Sequence, residues 1–223
     1  MPDRLFTAAA NPWFSLDYIR SSGNDLIAAL GQHLYLTFAS VLIATVIAVP
    51  LAVVAVRVRG IATPMLITAG VLYTIPALAL ITGLWPIFGL STTTVIVALA
   101  IYSLLLILRN AIVGLQSVPA EIYTAARGMG FGPTHMLVRV GLPIALPAVM
   151  SGIRLATVST VGLVMIGALV GHGGLGSIVL NGFINNFYRA PIVAGTILTV
   201  ALALILEWLL SRAQHAMTPW SQS

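Results

Sequence analysis

Lysine and cysteine are absent from the 223 residues, acids number five, and charged side chains make up only 7% of the chain. Each absence closes off a kind of chemistry. A phosphate-binding P-loop needs a lysine to reach the nucleotide phosphates, so this chain does not carry that motif. Without cysteine there are no disulfides and no thiolate metal sites, although the compartment stays open. His33, His135, His172 and His215 are scattered, with no HExxH spacing and no acidic cluster beside them, so no metal site is expected. No GxSxG elbow and no recognisable Ser-His-Asp arrangement occurs, and neither a catalytic residue nor a cofactor is assigned. The formal charge of +5 comes from arginines dispersed over loops rather than from a basic stripe interleaved with aromatics, which argues against nucleic acid as a partner.

What the chain has in quantity is apolar surface. Hydrophobic residues make up 59% of it and mean hydropathy is +1.06, outside the composition of soluble domains. No Asp, Glu, Lys or Arg occurs over residues 26–56, 60–108 or 155–188, and a spanning helix needs about 20 apolar residues. The middle stretch therefore holds a helical hairpin, turning at WPIFGLS (residues 85–91), where Trp85, Pro86 and Gly89 coincide. The expectation is an all-α, polytopic membrane protein with five spans over residues 34–56, 63–85, 92–108, 145–170 and 191–210. The start of the fourth segment has a second reading, along the membrane surface. Pro50 and Pro76 are expected to kink or loosen their helices.

Basic residues in short loops favour the cytoplasmic side. An outside N-terminus and inside C-terminus put Arg57, Arg59, Arg109, Arg127, Arg139 and Arg212 inside and leave Arg4, Arg20 and Arg189 outside. Residues 1–30 lack a compact apolar run after a basic start, so no cleaved signal peptide is expected. Two readings of that segment stand: an extracytoplasmic amphipathic lead-in, with Trp13, Phe14, Leu16, Tyr18 and Ile19 at headgroup level while Asp17 and Arg20 face water, or a poorly ordered terminus. Residues 31–215 form the membrane domain, and 216–223 a cytoplasmic tail.

One segment between the charge-free runs is polar and punctuated by glycine: EIYTAARGMGFGPTHMLVRVGLP, residues 121–143. Ile122, Ala125, Ala126 and Met129 fall at i, i+3, i+4 and i+7, one face of a short helix. Pro119 suits its first turn, Glu121 sits near the positive end of its dipole, and Gly128 and Gly130 can end it. The small alanines allow close backbone approach, so this face fits a groove on a partner. Packing against the chain's own bundle satisfies the same periodicity, and periodicity does not choose between them.

The segment resembles the cytoplasmic loop of permease subunits in binding-protein-dependent ABC importers. The pattern there is Glu-Ala-Ala, three residues, Gly, nine residues, Ile, one residue, Leu-Pro. Ala125, Ala126, Gly130, Val140, Leu142 and Pro143 stand at that spacing. Thr124 stands where the family usually has Glu, Val140 replaces Ile, and Glu121 is a turn too early to supply the missing carboxylate. IPALAL (75–80), RNAIVGLQ (109–116), SGIRLATV (151–158) and GHGGLG (171–176) resemble the osmoprotectant branch, which imports glycine betaine, choline, carnitine or proline betaine. A methionine-importer permease has the same five-span plan and is the nearest competing reading.

The resemblance implies a non-catalytic, multi-pass subunit of the bacterial inner membrane. A separate cytoplasmic ATP-binding subunit would act through a coupling loop (117–143) that includes Glu121, Ile122, Ala125, Ala126, Met129, Gly130, Leu142 and Pro143. An extracytoplasmic substrate-binding protein would deliver solute to the opposite face, and a second permease, identical or paralogous, would help enclose the path. Tyr73, Pro76, Tyr102, Thr157 and Thr160 are candidate path residues, although each type also serves packing or capping. The GHGGLG run implies an extracellular turn or re-entrant segment at the mouth, or a simple flexible turn. Arg154, an intramembrane charge, either faces the bundle or snorkels to the inner interface, while Glu207 reads as a solvated terminal carboxylate. The central spans offer no acid to pair permanently with a quaternary ammonium. An ion-coupled secondary transporter and an intramembrane enzyme are the readings of a different class.

Overall fold

The computed structural model describes residues 11–219, and among them every regular element is helical. Arg4, the first ten residues of the lead-in and the last four of the tail lie outside the described residues. A short helix α1 (Leu16–Ser21) is capped by the Ser15 side chain, which accepts from the Tyr18 amide. Helix α2 (Gly23–Arg57) follows directly. Its 35 residues reach about 50 Å at 1.5 Å per residue, well beyond a hydrocarbon core of about 30 Å. The first membrane helix thus starts inside the segment read as a lead-in.

The two prolines behave differently, and packing explains why. Pro50 lies within the uninterrupted α2, where Ala44, Ala48, Ala52 and Ala55 form a buried stripe in the main core. At Pro76 the expected second span breaks into α3 (Ala62–Thr74) and α4 (Ala77–Phe88), which meet at 96°. Ile75 takes an extended conformation, ψ 128°, as a residue before proline prefers. Only Ala69 and Ile81 are buried in this pair, so little packing opposes the bend. The loosening expected at Pro76 is thus a 96° break within the 63–85 segment, whereas Pro50 interrupts nothing.

Helix α5 (Thr92–Gln116) runs two turns past the expected end and forms the centre of the bundle, against α2. The loop helix α6 (Ala120–Gly128) and the single-turn α7 (Pro133–Met136) come next. A π-helical turn over Leu137–Gly141 leads into α8 (Leu142–Val164), which tightens to a 3₁₀ segment over Met165–Val170. Helix α9 (Leu175–Ile184) is short and apolar, and α10 (Arg189–Met217) closes the chain against it. The α5–α8 seam explains two of the sequence stretches singled out above. A Cβ on Gly114 would lie 2.7 Å from the Ala148 Cβ, and one on Gly152 would lie 2.8 Å from the Asn110 Cβ. Only glycine lets these backbones approach so closely.

Candidate functional site

By chain direction, the C-terminal ends of α2, α5 and α10 lie at one end of the bundle with α6, and six arginines, 57, 59, 109, 127, 139 and 212, lie on or next to these elements. Pro119 enters α6 with φ −59°, the value its ring imposes. Gly130 leaves it at φ +82°, a left-handed conformation that favours glycine. The apolar face of α6 divides. Ala126 is buried at 2% exposure, whereas Ile122, Ala125 and Met129 are exposed, Met129 at 69%. Packing on the chain's own bundle accounts only for Ala126. Glu121 is exposed in the first turn.

Beneath α6 lies a cleft of about 480 Å³ lined among others by Val53, Arg57, Leu115, Tyr123, Arg127 and Phe131. Arg57 Nη2 donates to the Pro133 carbonyl at 3.4 Å, tying α2 to the loop. The Tyr123 hydroxyl reaches the π-helical turn, where a Cβ on Gly141 would lie 3.2 Å from it. Leu142 and Pro143 follow that turn, half-buried, and open α8.

The candidate path residues separate into two groups. Tyr73 and Pro76 are exposed at the break between α3 and α4. Tyr102 is buried beside them, its hydroxyl donating to the Ile75 carbonyl and its ring in edge contact with Tyr73 at 5.6 Å. The break frees that carbonyl from helical bonding, and Tyr102 satisfies it. Thr157 and Thr160 lie instead in the α5–α8 contact, at 2% and 1% exposure. Thr157 donates to the Ile153 carbonyl at 2.8 Å. Ser103 donates to the Leu99 carbonyl at 2.9 Å and so accepts from Thr160 at 2.8 Å. Substituting Tyr102→Phe would orphan the Ile75 carbonyl and is expected to destabilise the fold by about 1–3 kcal/mol. Thermal unfolding of the purified permease measures this; an unchanged midpoint would show that the break needs no such cap.

At the opposite end, the glycine run is close-packed, so the flexible-turn reading is incorrect. Gly171 is left-handed at φ +84°, and His172 N–H donates to the Gly167 carbonyl at 2.9 Å. A Cβ on Gly173 would lie 2.3 Å from the Ala168 nitrogen, and one on Gly174 2.7 Å from the His33 Cβ. Gly174 N–H donates to Gln32 Oε1 at 3.2 Å, and His172 Nδ1 lies 3.3 Å from the Thr92 hydroxyl. His33 is fully buried with Nε2 3.0 Å from the Val161 carbonyl, which requires the Nε2–H tautomer. The turn thus locks α8 and α9 against α2.

Arg154 faces α10, paired with Glu207 and also bonded to Gln214 Oε1 at 2.7 Å. Glu207 is therefore an ion-pair partner, which corrects its reading as a solvated terminal carboxylate. Gln214 Nε2 completes the cluster with the Pro147 carbonyl at 3.2 Å and Ser151 Oγ at 3.4 Å. The sequence reading missed this partner set. Its signal was the seven-residue spacing of Glu207 and Gln214, which puts them on one face of a helix.

Residues 40–218 match the family described as "Binding-protein-dependent transport system inner membrane component". The chain belongs to that family. It is a permease subunit of an ABC importer and an inner-membrane protein. It is 38% identical over 210 residues to the osmoprotectant import permease protein OsmW of Salmonella typhimurium, covering 92% of this chain and 97% of OsmW. It is 32% identical to the carnitine transport permease protein OpuCB of Listeria monocytogenes, over 91% of this chain and 92% of that one. The permease fold matches a chain of the MetNI methionine ABC transporter in an inward-facing conformation, with a TM-score of 0.80 at 23% identity, covering 92% of this chain and 100% of that one.

Proposed function

We propose that this permease forms the translocation path for osmoprotectant quaternary amines such as glycine betaine, choline or carnitine. The observation that carries the substrate class is its similarity, over nearly the whole chain, to permeases named for osmoprotectants, carnitine and choline. The likeness to the methionine transporter is one of fold. The permease itself is non-catalytic in this reading, and ATP hydrolysis lies with a cytoplasmic ATP-binding subunit. The exposed Ile122, Ala125 and Met129 face of α6 supports a docking role toward that subunit. Glu121 shapes the helix start, and Gly130, Leu142 and Pro143 shape the return into the membrane.

The arginine-rich end is cytoplasmic in this reading, which places the N-terminus outside and the C-terminus inside. The glycine turn and the α9–α10 connection then face the extracytoplasmic binding protein. A second permease, identical or paralogous, covers the remaining helix faces. Tyr73, Pro76 and Tyr102 place a polar, aromatic break on the path, and Thr157 and Thr160 act from behind it, through the α5–α8 seam. Aromatic faces attract quaternary ammonium without needing an N–H.

The test is ATP-dependent uptake of labelled glycine betaine, choline, carnitine and methionine by proteoliposomes carrying the assembled complex and its cognate binding protein. Quaternary-amine uptake without methionine uptake is expected. Methionine uptake alone would overturn the substrate, and uptake without ATP would overturn the mechanism.

A further inference from the structure

Two charged side chains lie within the apolar runs of α8 and α10, and neither is enclosed. Arg154 and Glu207 keep 25% and 36% of their side-chain surface exposed. Placing either against hydrocarbon costs about 2.5–3.5 kcal/mol on insertion scales. Paired with each other, they offset part of that cost, and their open side is left uncovered by the described chain. It gives onto an open groove of about 450 Å³ lined by Ser151, Arg154, Leu155, Val158 and Glu207. Ser151, Leu155 and Val158 fall at i, i+4 and i+7 of α8, and all three are exposed.

The ion pair has valence to spare. Arg154 Nε donates to Glu207 Oε1 at 3.0 Å, Nη2 donates to the same oxygen, and Nη1 donates to Gln214 Oε1. A guanidinium has five N–H donors and a carboxylate two oxygens. Glu207 Oε2 and two Arg154 N–H groups are thus left without a partner among the described residues. Opposite charges with unused capacity, side by side on an open groove, suit a molecule that carries both charges itself.

We propose that Arg154 and Glu207, with Ser151, Leu155 and Val158, form a transient subsite for a zwitterionic methylated-ammonium solute; this rests on the quaternary-amine reading above. The solute carboxylate takes the spare guanidinium N–H groups. The quaternary ammonium has no N–H to donate and needs only the nearby Glu207 charge and the apolar Leu155 and Val158 surfaces for its methyl groups. Because each charge is already partly compensated by the other, the ligand adds to an existing ion pair and is bound weakly. Weak binding is what a route needs if solute is to leave as well as enter. Gln214 steadies the Arg154 guanidinium from the other side, so α8 and α10 stay joined while the site is occupied.

Two variants test this in proteoliposomes of the full complex, each compared with wild type so that the binding protein's own preference cancels. Replacing the pair with apolar residues of similar size, Arg154→Met with Glu207→Leu, removes both charges together and leaves neither unpaired, and assembly is read by co-purification. Glycine betaine uptake, as kcat/KM, is expected to fall at least tenfold. Arg154→Gln is expected to lower glycine betaine uptake at least tenfold relative to choline, which has no carboxylate to lose its partner. If the double variant fails to assemble, this ratio decides. Wild-type uptake in the double variant, or an equal fall for both solutes in Arg154→Gln, would overturn the subsite and leave the proposed substrate class standing. A wild-type complex that moves no quaternary amine would overturn that class and the subsite with it.

Discussion

Replacing Gly173 or Gly174 with alanine is expected to remove most of the folded permease, although each change adds one methyl group. A Cβ on Gly173 would lie 2.3 Å from the Ala168 nitrogen and 2.5 Å from its Cα. These are backbone atoms, so no side chain can turn aside to make room. Overpacking of this kind costs about 1–3 kcal/mol and more where the neighbours are rigid. Gly174 combines a similar clash, 2.8 Å to the His33 backbone, with φ +53° and ψ −124°, a sparsely populated conformation that costs a side chain about 1–3 kcal/mol. Gly171 is the internal control, since its φ is +84° but its Cβ would meet open space. Gly171→Ala should therefore show the conformational cost alone. Monodisperse yield after detergent extraction and the thermal unfolding midpoint would rank the variants, Gly171→Ala mildest. Equal behaviour of all three would mean that packing of the turn against α2 and α8 contributes little.

The same turn shows where the sequence could and could not be read. The charge-free runs located the membrane helices, because burying charge in hydrocarbon is costly enough to leave long gaps in the charge pattern. Pro119, Glu121 and Gly130 marked the loop helix by local rules, and the helix starts directly after Pro119 and ends at Gly128. Tertiary packing left no such trace. A glycine run looks alike whether it is loose or pressed against a backbone 130 residues or more away, as Gly174 is against His33. Pro50 and Pro76 also carry the same local signal, and only the alanine stripe around Pro50 keeps one helix whole while the other turns through 96°. Arg154 was conspicuous as a charge in an apolar run. Its partner is 53 positions away in another helix, and at that separation the sequence supplies a candidate acid but no geometry.

Placing aspartate at both Ile122 and Met129 is expected to leave the permease folded and to separate it from its ATP-binding subunit. Both side chains are exposed, at 39% and 69%, and exposed substitutions shift stability by about 0.5 kcal/mol or less. In an apolar groove on a partner the same two charges would be desolvated without a counter-ion. Disrupting a central anchor of such an interface commonly costs about 2 kcal/mol or more, over tenfold in association. Co-purification of the ATPase and ATP-driven uptake should therefore fall together, by at least tenfold, while the unfolding midpoint holds. Ala126 supplies the contrasting case, because it lies one position from Ala125 on the loop helix but is only 2% exposed. Ala126→Leu should lower the midpoint through overpacking, and its loss of coupling should follow from the disturbed loop. If the double aspartate variant assembles and transports as the wild type does, the exposed face of the loop helix is not the docking surface. If it unfolds, that face packs on the permease itself in the intact complex. A stable variant that has parted from its ATPase leaves one physical account, in which the free energy of nucleotide-driven closure enters the membrane domain through the outward face of α6.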